Sequence, residues 1–150
     1  MRRSLALPGG VAALFAAALI WFALNPAEPE RADATDAGLV AEGQTVYAQH
    51  CAGCHGANLE GEPDWRIRRP DGMLPAPPHD ATGHTWHHAN AALFDLTKRG
   101  TAAVVGGNYR SNMPAFGPLL SDRQIWAALS YIKSQWPTEI RAAQERTQQK

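Results

Sequence analysis

The stretch Cys51-Ala52-Gly53-Cys54-His55 is where the reading of this chain turns. Ahead of it, Leu39, Gly43 and Val46 form one stripe and Val40, Gly43 and Tyr47 a neighbouring one, at spacings of three, four and seven residues. That period predicts a helix starting at Ala37 and running into Cys51. If the helix continues, the thiols at i and i+3 share a face, spaced to bond two vinyl groups on one edge of a porphyrin. The imidazole that follows can then turn under the iron. Covalent haem attachment is what Cys-x-x-Cys-His normally carries. A dithiol redox pair and half of a zinc site use the same Cys spacing. Zinc would want two more suitable ligands, and there is no third cysteine. A thioredoxin-like pair would want strands alternating with helices, and the chain has no strand pattern.

Downstream, residues 56–89 hold several prolines and glycines and four histidines, a composition for a long loop. Loops of that length usually wrap something. Asn90 is placed to cap a short helix through Leu93, Phe94 and Leu96, with Lys98-Arg99 before the stop at Gly100. Residues 100–118 read as loop again. The clearest helix follows: Ser121 with Gln124 makes a capping box, Ile125, Leu129, Ile132 and Trp136 make one apolar stripe, and Pro137 ends it. Residues 138–150 are polar and expected to fray.

Upstream, Arg2-Arg3 precede an uncharged run from Leu5 to Leu24. Twenty such residues can cross a bilayer of roughly 30 Å. Residues 1–24 therefore read as an N-terminal membrane anchor or a signal peptide. The sequence Phe22-Ala23-Leu24-Asn25-Pro26 lacks the small-residue pair that cleavage wants, which favours an uncleaved anchor. The arginines keep the N-terminus in the cytoplasm, so the remainder is exported. Residues 25–36, polar and acidic with two prolines, read as a tether. The chain of 150 residues has 14 basic and 14 acidic side chains. All the acids lie beyond the apolar run, so the exported part is slightly acidic and no bulk charge draws it to nucleic acid.

The chain resembles the class I c-type cytochromes over residues 37–137. The resemblance rests on Gly43 and Tyr47 before the Cys-His motif and Gly56, on Met113-Pro114-Ala115-Phe116-Gly117 after it, and on Trp126 to Tyr131, in the family's order. It implies an all-α domain of three to five helices around one haem c bonded to Cys51 and Cys54. The first and last of these helices would cross near Gly43, where a ring of Tyr131 or Trp126 could approach a backbone without a side chain. The resemblance also implies export before haem attachment, against a twin-arginine route for Arg2-Arg3.

The sixth iron ligand separates electron transfer from chemistry. Met113, on a loop before Pro114 and the capped helix, matches the family's ligand position; Met73 does not. A thioether is soft and neutral, raises the potential and closes the iron to peroxide. A core filler is the plain reading of any methionine. The other nitrogen of His55 needs an acceptor, and the resemblance points to a proline-rich turn, with the carbonyls of Pro75 or Pro77 as candidates. Trp65, Arg66, Arg69, His84 and Trp86 are of the types that meet haem propionates. For most of this loop a solvated surface is the plain reading. A copper or zinc site from His79, His84, His87 and His88 competes, without helical spacing and with Asp80 as its one neighbouring carboxylate.

The expectation is a monohaem electron carrier with His55 and Met113 on the iron, not an enzyme, held at the bacterial cytoplasmic membrane and facing the periplasm. Without the anchor it would be periplasmic. Its partners would be redox proteins such as a quinol-oxidising complex or a terminal oxidase, with no nucleic acid. The alternatives are a peroxidase-like haem enzyme with an open iron site and a metal-handling subunit using the histidines.

Overall fold

A computed structural model describes residues 14–16, 19–21 and 29–148. Residues 14–16 and 19–21 are helical and expose Leu14, Phe15, Leu19, Ile20 and Trp21. The rest of the expected anchor over 1–24 and the first residues of the tether lie outside the described residues. No helix among the described residues is long and apolar enough to cross a membrane.

From residue 29 the described residues form helices and no strands: α1 (Ala37–His50), α2 (Ala52–His55), a 3-10 turn (Thr85–His87), α3 (Asn90–Arg99), α4 (Thr101–Val105), α5 (Asp122–Ser134) and α6 (Thr138–Thr147). Asp36 starts α1 by accepting the Leu39 amide at 2.9 Å. The full capping box of Ser121 and Gln124 starts α5. Replacing Ser121 by alanine should cost about 1 kcal/mol. The denaturation midpoint would fall with its slope unchanged.

Helices α1 and α5 cross at Gly43. A Cβ there would stand 1.9 Å from the Ala127 carbonyl oxygen and 2.4 Å from its carbon. The closest approach is therefore backbone, with Tyr131, one of the two expected aromatics, next to it. Tyr131 follows with its Cβ at 3.0 Å and its ring tilted on that of Tyr47 in α1, centroids 5.4 Å apart, while Trp126 stacks on Phe94 with centroids 4.2 Å apart. An Arg123–Glu42 ion pair at 2.9 Å flanks the crossing. Two apolar clusters form around it. One gathers Val46, Leu93, Phe116, Ile125 and Leu129 with Phe94 and Met113; the other gathers Tyr47, Leu59, Ile132 and Trp136 with Cys51 and Trp86.

Four expectations are corrected. Residues 138–147 form α6 rather than a frayed tail. Its anchors are polar: Gln144 is fully buried and donates to Asn90 Oδ1 and the His88 carbonyl, and Glu145 pairs with the buried Lys133. The Asn90 side chain therefore faces Gln144 and caps nothing; Ala89 holds the N-cap position of α3. Part of the 100–118 loop is helical as α4, entered at Gly100 (φ +81°). The end of the tether is docked, with Ala32 buried and the Asp33 amide donating to Ser130 Oγ at 2.8 Å.

Candidate metal centre

Cys51 breaks the helix axis (φ −115°, ψ −39°) between α1 and α2. Its carbonyl accepts from the amides of Cys54 and His55, so the motif coils as a single turn that carries both thiols, unbonded to each other. Cys51 is half-buried against the second apolar cluster, and Cys54 is exposed. Burial pushes the Cys51 thiol up to about 11, with Cys54 adding to the shift. A catalytic dithiol runs the other way, since its reactivity needs a lowered thiol pKa.

His55 ends the turn and is 8 % exposed. Its Nδ1 lies 2.8 Å from the Pro77 carbonyl oxygen. With the proton on Nδ1, Nε2 keeps its lone pair for a metal. Burial lowers the His55 pKa against the opposing pull of the Pro77 bond, which keeps the ring in its neutral, ligating form.

The chain reaches this geometry through a close backbone pairing. Gly56 (φ +82°) turns out of α2, and its carbonyl accepts the Tyr47 hydroxyl at 2.8 Å. The Gly61 amide donates to His55 O, Glu62 N to Ala76 O, and His79 N to Leu59 O. The Glu62 carboxylate accepts from the Ala76 amide and Arg69, and both hold it below the usual carboxylate range. Residues 59–62 thus strap residues 76–79, leaving the Pro77 carbonyl on the imidazole. Pro75 is buried one step earlier, beside the Ala76 amide that Glu62 takes.

Met113 sits in a loop, half-buried against the first cluster, and its sulfur accepts the Thr101 hydroxyl at 3.2 Å. Met73 lies in the Arg69–Met73 turn, where its carbonyl accepts the Arg69 amide.

The loop residues divide. Arg69 is engaged by Glu62 at 2.6 Å. Arg66 lies 3.9 Å over the Trp65 ring, and Trp65 stacks in parallel on the exposed His84 at 5.3 Å. Trp86 stacks on His87 at 3.6 Å, and its buried Nε1–H has no partner. That indole is a donor in want of an acceptor, a role a propionate would fill. With two thiols, an oriented imidazole and a thioether, this set fits a covalently held haem. No three His, Cys, Asp or Glu side chains converge as a metal site among the described residues; of the four loop histidines, His84 and His88 meet edge to face at 5.3 Å.

One neighbour was hidden among those histidines. His79 stacks on His55 with ring centroids 3.9 Å apart and planes 22° apart. Its Nδ1 meets Thr85 Oγ1 at 2.8 Å, and its carbonyl accepts Trp136 Nε1 at 2.7 Å. The available signal was its position two residues after Pro77, since whatever brings Pro77 to His55 brings residue 79 nearby. Thr101 carried no comparable signal, because α4 has no buried stripe.

Residues 40–136 match the family model described as Cytochrome c. Among curated proteins, the chain is 33% identical over 99 residues to the cbb3-type cytochrome c oxidase subunit CcoP of Azospirillum sp. (strain B510), covering 66% of this chain and 29% of that subunit. It is 28% identical over 99 residues to cytochrome c-555 of Prosthecochloris aestuarii, covering 62% of this chain and 84% of that protein. The chain thus spans under a third of the oxidase subunit and most of the small cytochrome. No solved structure matches.

Proposed function

The chain belongs to the cytochrome c family, as a class I c-type cytochrome, and from that premise we propose that it is a monohaem carrier of single electrons. A cytochrome c domain implies covalent haem c. In this reading Cys51 and Cys54 would hold the group covalently through their sulfurs, His55 Nε2 and the Met113 sulfur would be the iron's protein ligands, and Trp86 Nε1 would donate to a propionate. The bound haem supplies an iron that gains and loses one electron. The chain's part is to keep both ligands in place through that change. Pro77 holds the His55 proton, Tyr47 and the Glu62 strap hold the loop that carries Pro77, and Thr101 orients the Met113 sulfur. The observation that carries the reading is the 2.8 Å contact of His55 Nδ1 with the Pro77 carbonyl, which leaves Nε2 as the ligating nitrogen of the turn that also carries the two thiols.

The carrier is held at the bacterial cytoplasmic membrane by residues 1–24, facing the periplasm. The uncharged run and the exposed large side chains at 14–15 and 19–21 support this. Its partners are redox proteins met briefly over small surfaces, below about 1,200 Å². Tethering raises their effective concentration. A relative that is a subunit of a terminal oxidase supports an oxidase among them.

Acid-acetone extraction of the purified protein tests the attachment. The pigment should stay with the chain, whose mass should exceed the polypeptide by one haem. The double variant Cys51→Ala/Cys54→Ala should lose all covalent haem. Extraction of the pigment from the parent would overturn the reading.

A further inference from the structure

Resting on that reading, we propose that His79 is a positioning residue for His55, its ring forming a flat stop that fixes the rotation of the ligand imidazole. The Pro77 carbonyl holds one atom of the His55 ring, Nδ1. A single hydrogen bond tolerates tens of degrees of misalignment before it weakens steeply. The ring could therefore rock about its attachment while keeping the bond.

The His79 imidazole lies against one face of His55, nearly parallel, and blocks that motion. It is itself tied on two sides. Thr85 Oγ1 meets its Nδ1, and the Thr85 hydroxyl also lies 3.4 Å from the Pro78 carbonyl. Trp136, from the end of the α5 region, grips the His79 carbonyl, and the His79 amide donates to Leu59. The Gly83 backbone closes against Pro78, where a Cβ would stand 2.0 Å from the Pro78 carbonyl oxygen. The stop is thus braced by groups other than the two ligands.

The chemical consequence follows from the hydrogen bond at Nδ1. A well-aligned bond raises the electron donation of Nε2 to a metal, and a loosened ring donates less. Less donation disfavours ferric iron, so the reduction potential should rise when the stop is removed. A spread of ring orientations should also broaden the low-spin ferric paramagnetic resonance.

The test compares His79→Ala, His79→Phe and Thr85→Val with the parent, all as haem-loaded protein. His79→Ala should raise the potential and shift and broaden the largest g value. His79→Phe, which restores a flat ring without its Thr85 bond, should recover the g value while the line stays broadened. Thr85→Val, which frees His79 without changing its ring, should broaden the signal. A role in packing alone predicts lower thermal stability with potential and resonance unchanged, and that result in His79→Ala would overturn the proposal. If His79→Ala does not fold, a parental line width and potential in Thr85→Val would overturn it. The reading beneath stands or falls separately, on whether the parent holds covalent low-spin haem.

Discussion

Replacing Met113 by alanine should remove the sulfur-to-iron absorption band in the far red and turn the ferric protein from low to high spin. The iron would lose its sixth protein ligand, and cyanide, excluded from the parent at modest concentration, should bind. Axial ligation spreads haem potentials over about 0.8 V, so losing the thioether should lower this one by an amount on the order of a few hundred mV. The geometry favours this over a filler role. Met113 stands in an irregular loop, half-buried, and Thr101 occupies one lone pair of its sulfur, which leaves the other for a metal. A filler would lose packing energy on truncation and leave the spectrum unchanged. Met73→Ala is the control. Met73 sits in the turn that Arg69 closes, and its loss should leave the band in place. An intact band in Met113→Ala would assign the sixth position elsewhere. A parent already high in spin would favour the peroxidase-like alternative.

Legibility in the sequence tracked how locally each feature is encoded. The capping box at Ser121 needs only four residues, and the α5 stripe only its own period, so both could be read directly. The Cys-His turn is equally local. Helix α6 could not be read, because it has almost no apolar stripe; Ile140 packs at the edge of a cluster, and burial falls on Gln144. A buried glutamine has no period to detect, and its partners, Asn90 and the His88 carbonyl, lie more than fifty residues away. The same distance hid the docking of Asp33 on Ser130 and sent the Asn90 side chain away from a cap.

The candidate site divides in the same way. A carbonyl from the proline turn was foreseeable as an acceptor for His55, but the choice between Pro75 and Pro77 depends on the strap. Glu62 binds the Ala76 amide and the Glu62 amide binds the Ala76 carbonyl, so the next carbonyl falls to the imidazole. Arg69 looked suited to an anion in the ligand, yet Glu62 lies seven residues before it and engages it first. The composition of a loop indicates which chemistry its side chains can offer. Intramolecular partners determine which of them remain free.

Gly43→Ala tests the crossing on which all of this rests, because two effects of opposite sign act there. In a helix interior alanine is favoured over glycine by about 1 kcal/mol. Propensity alone therefore predicts a more stable protein. The added methyl would lie 1.9 Å from the Ala127 carbonyl oxygen, deep inside contact distance, and both nearest atoms are backbone. No rotamer relieves that clash, so α1 and α5 must move apart by more than an ångström. Separation would loosen Leu39, Val46 and Tyr47, all buried on the α1 side, from the buried α5 face. Overpacking of this kind typically costs about 1–3 kcal/mol and more when backbone must move. The clash should win, giving net destabilisation of at least about 2 kcal/mol, a large share of the roughly 5–15 kcal/mol of a small domain. Tyr47 braces Gly56 from the same helix, so the His55 turn should loosen as well. Gly38→Ala is the matched control. Its methyl would meet only Asp36 Oδ1, at 3.4 Å, and it should be neutral or stabilising. Thermal melts of the two variants beside the parent read the signs directly, and a Gly43→Ala protein as stable as Gly38→Ala would mean that the helices do not meet through Ala127.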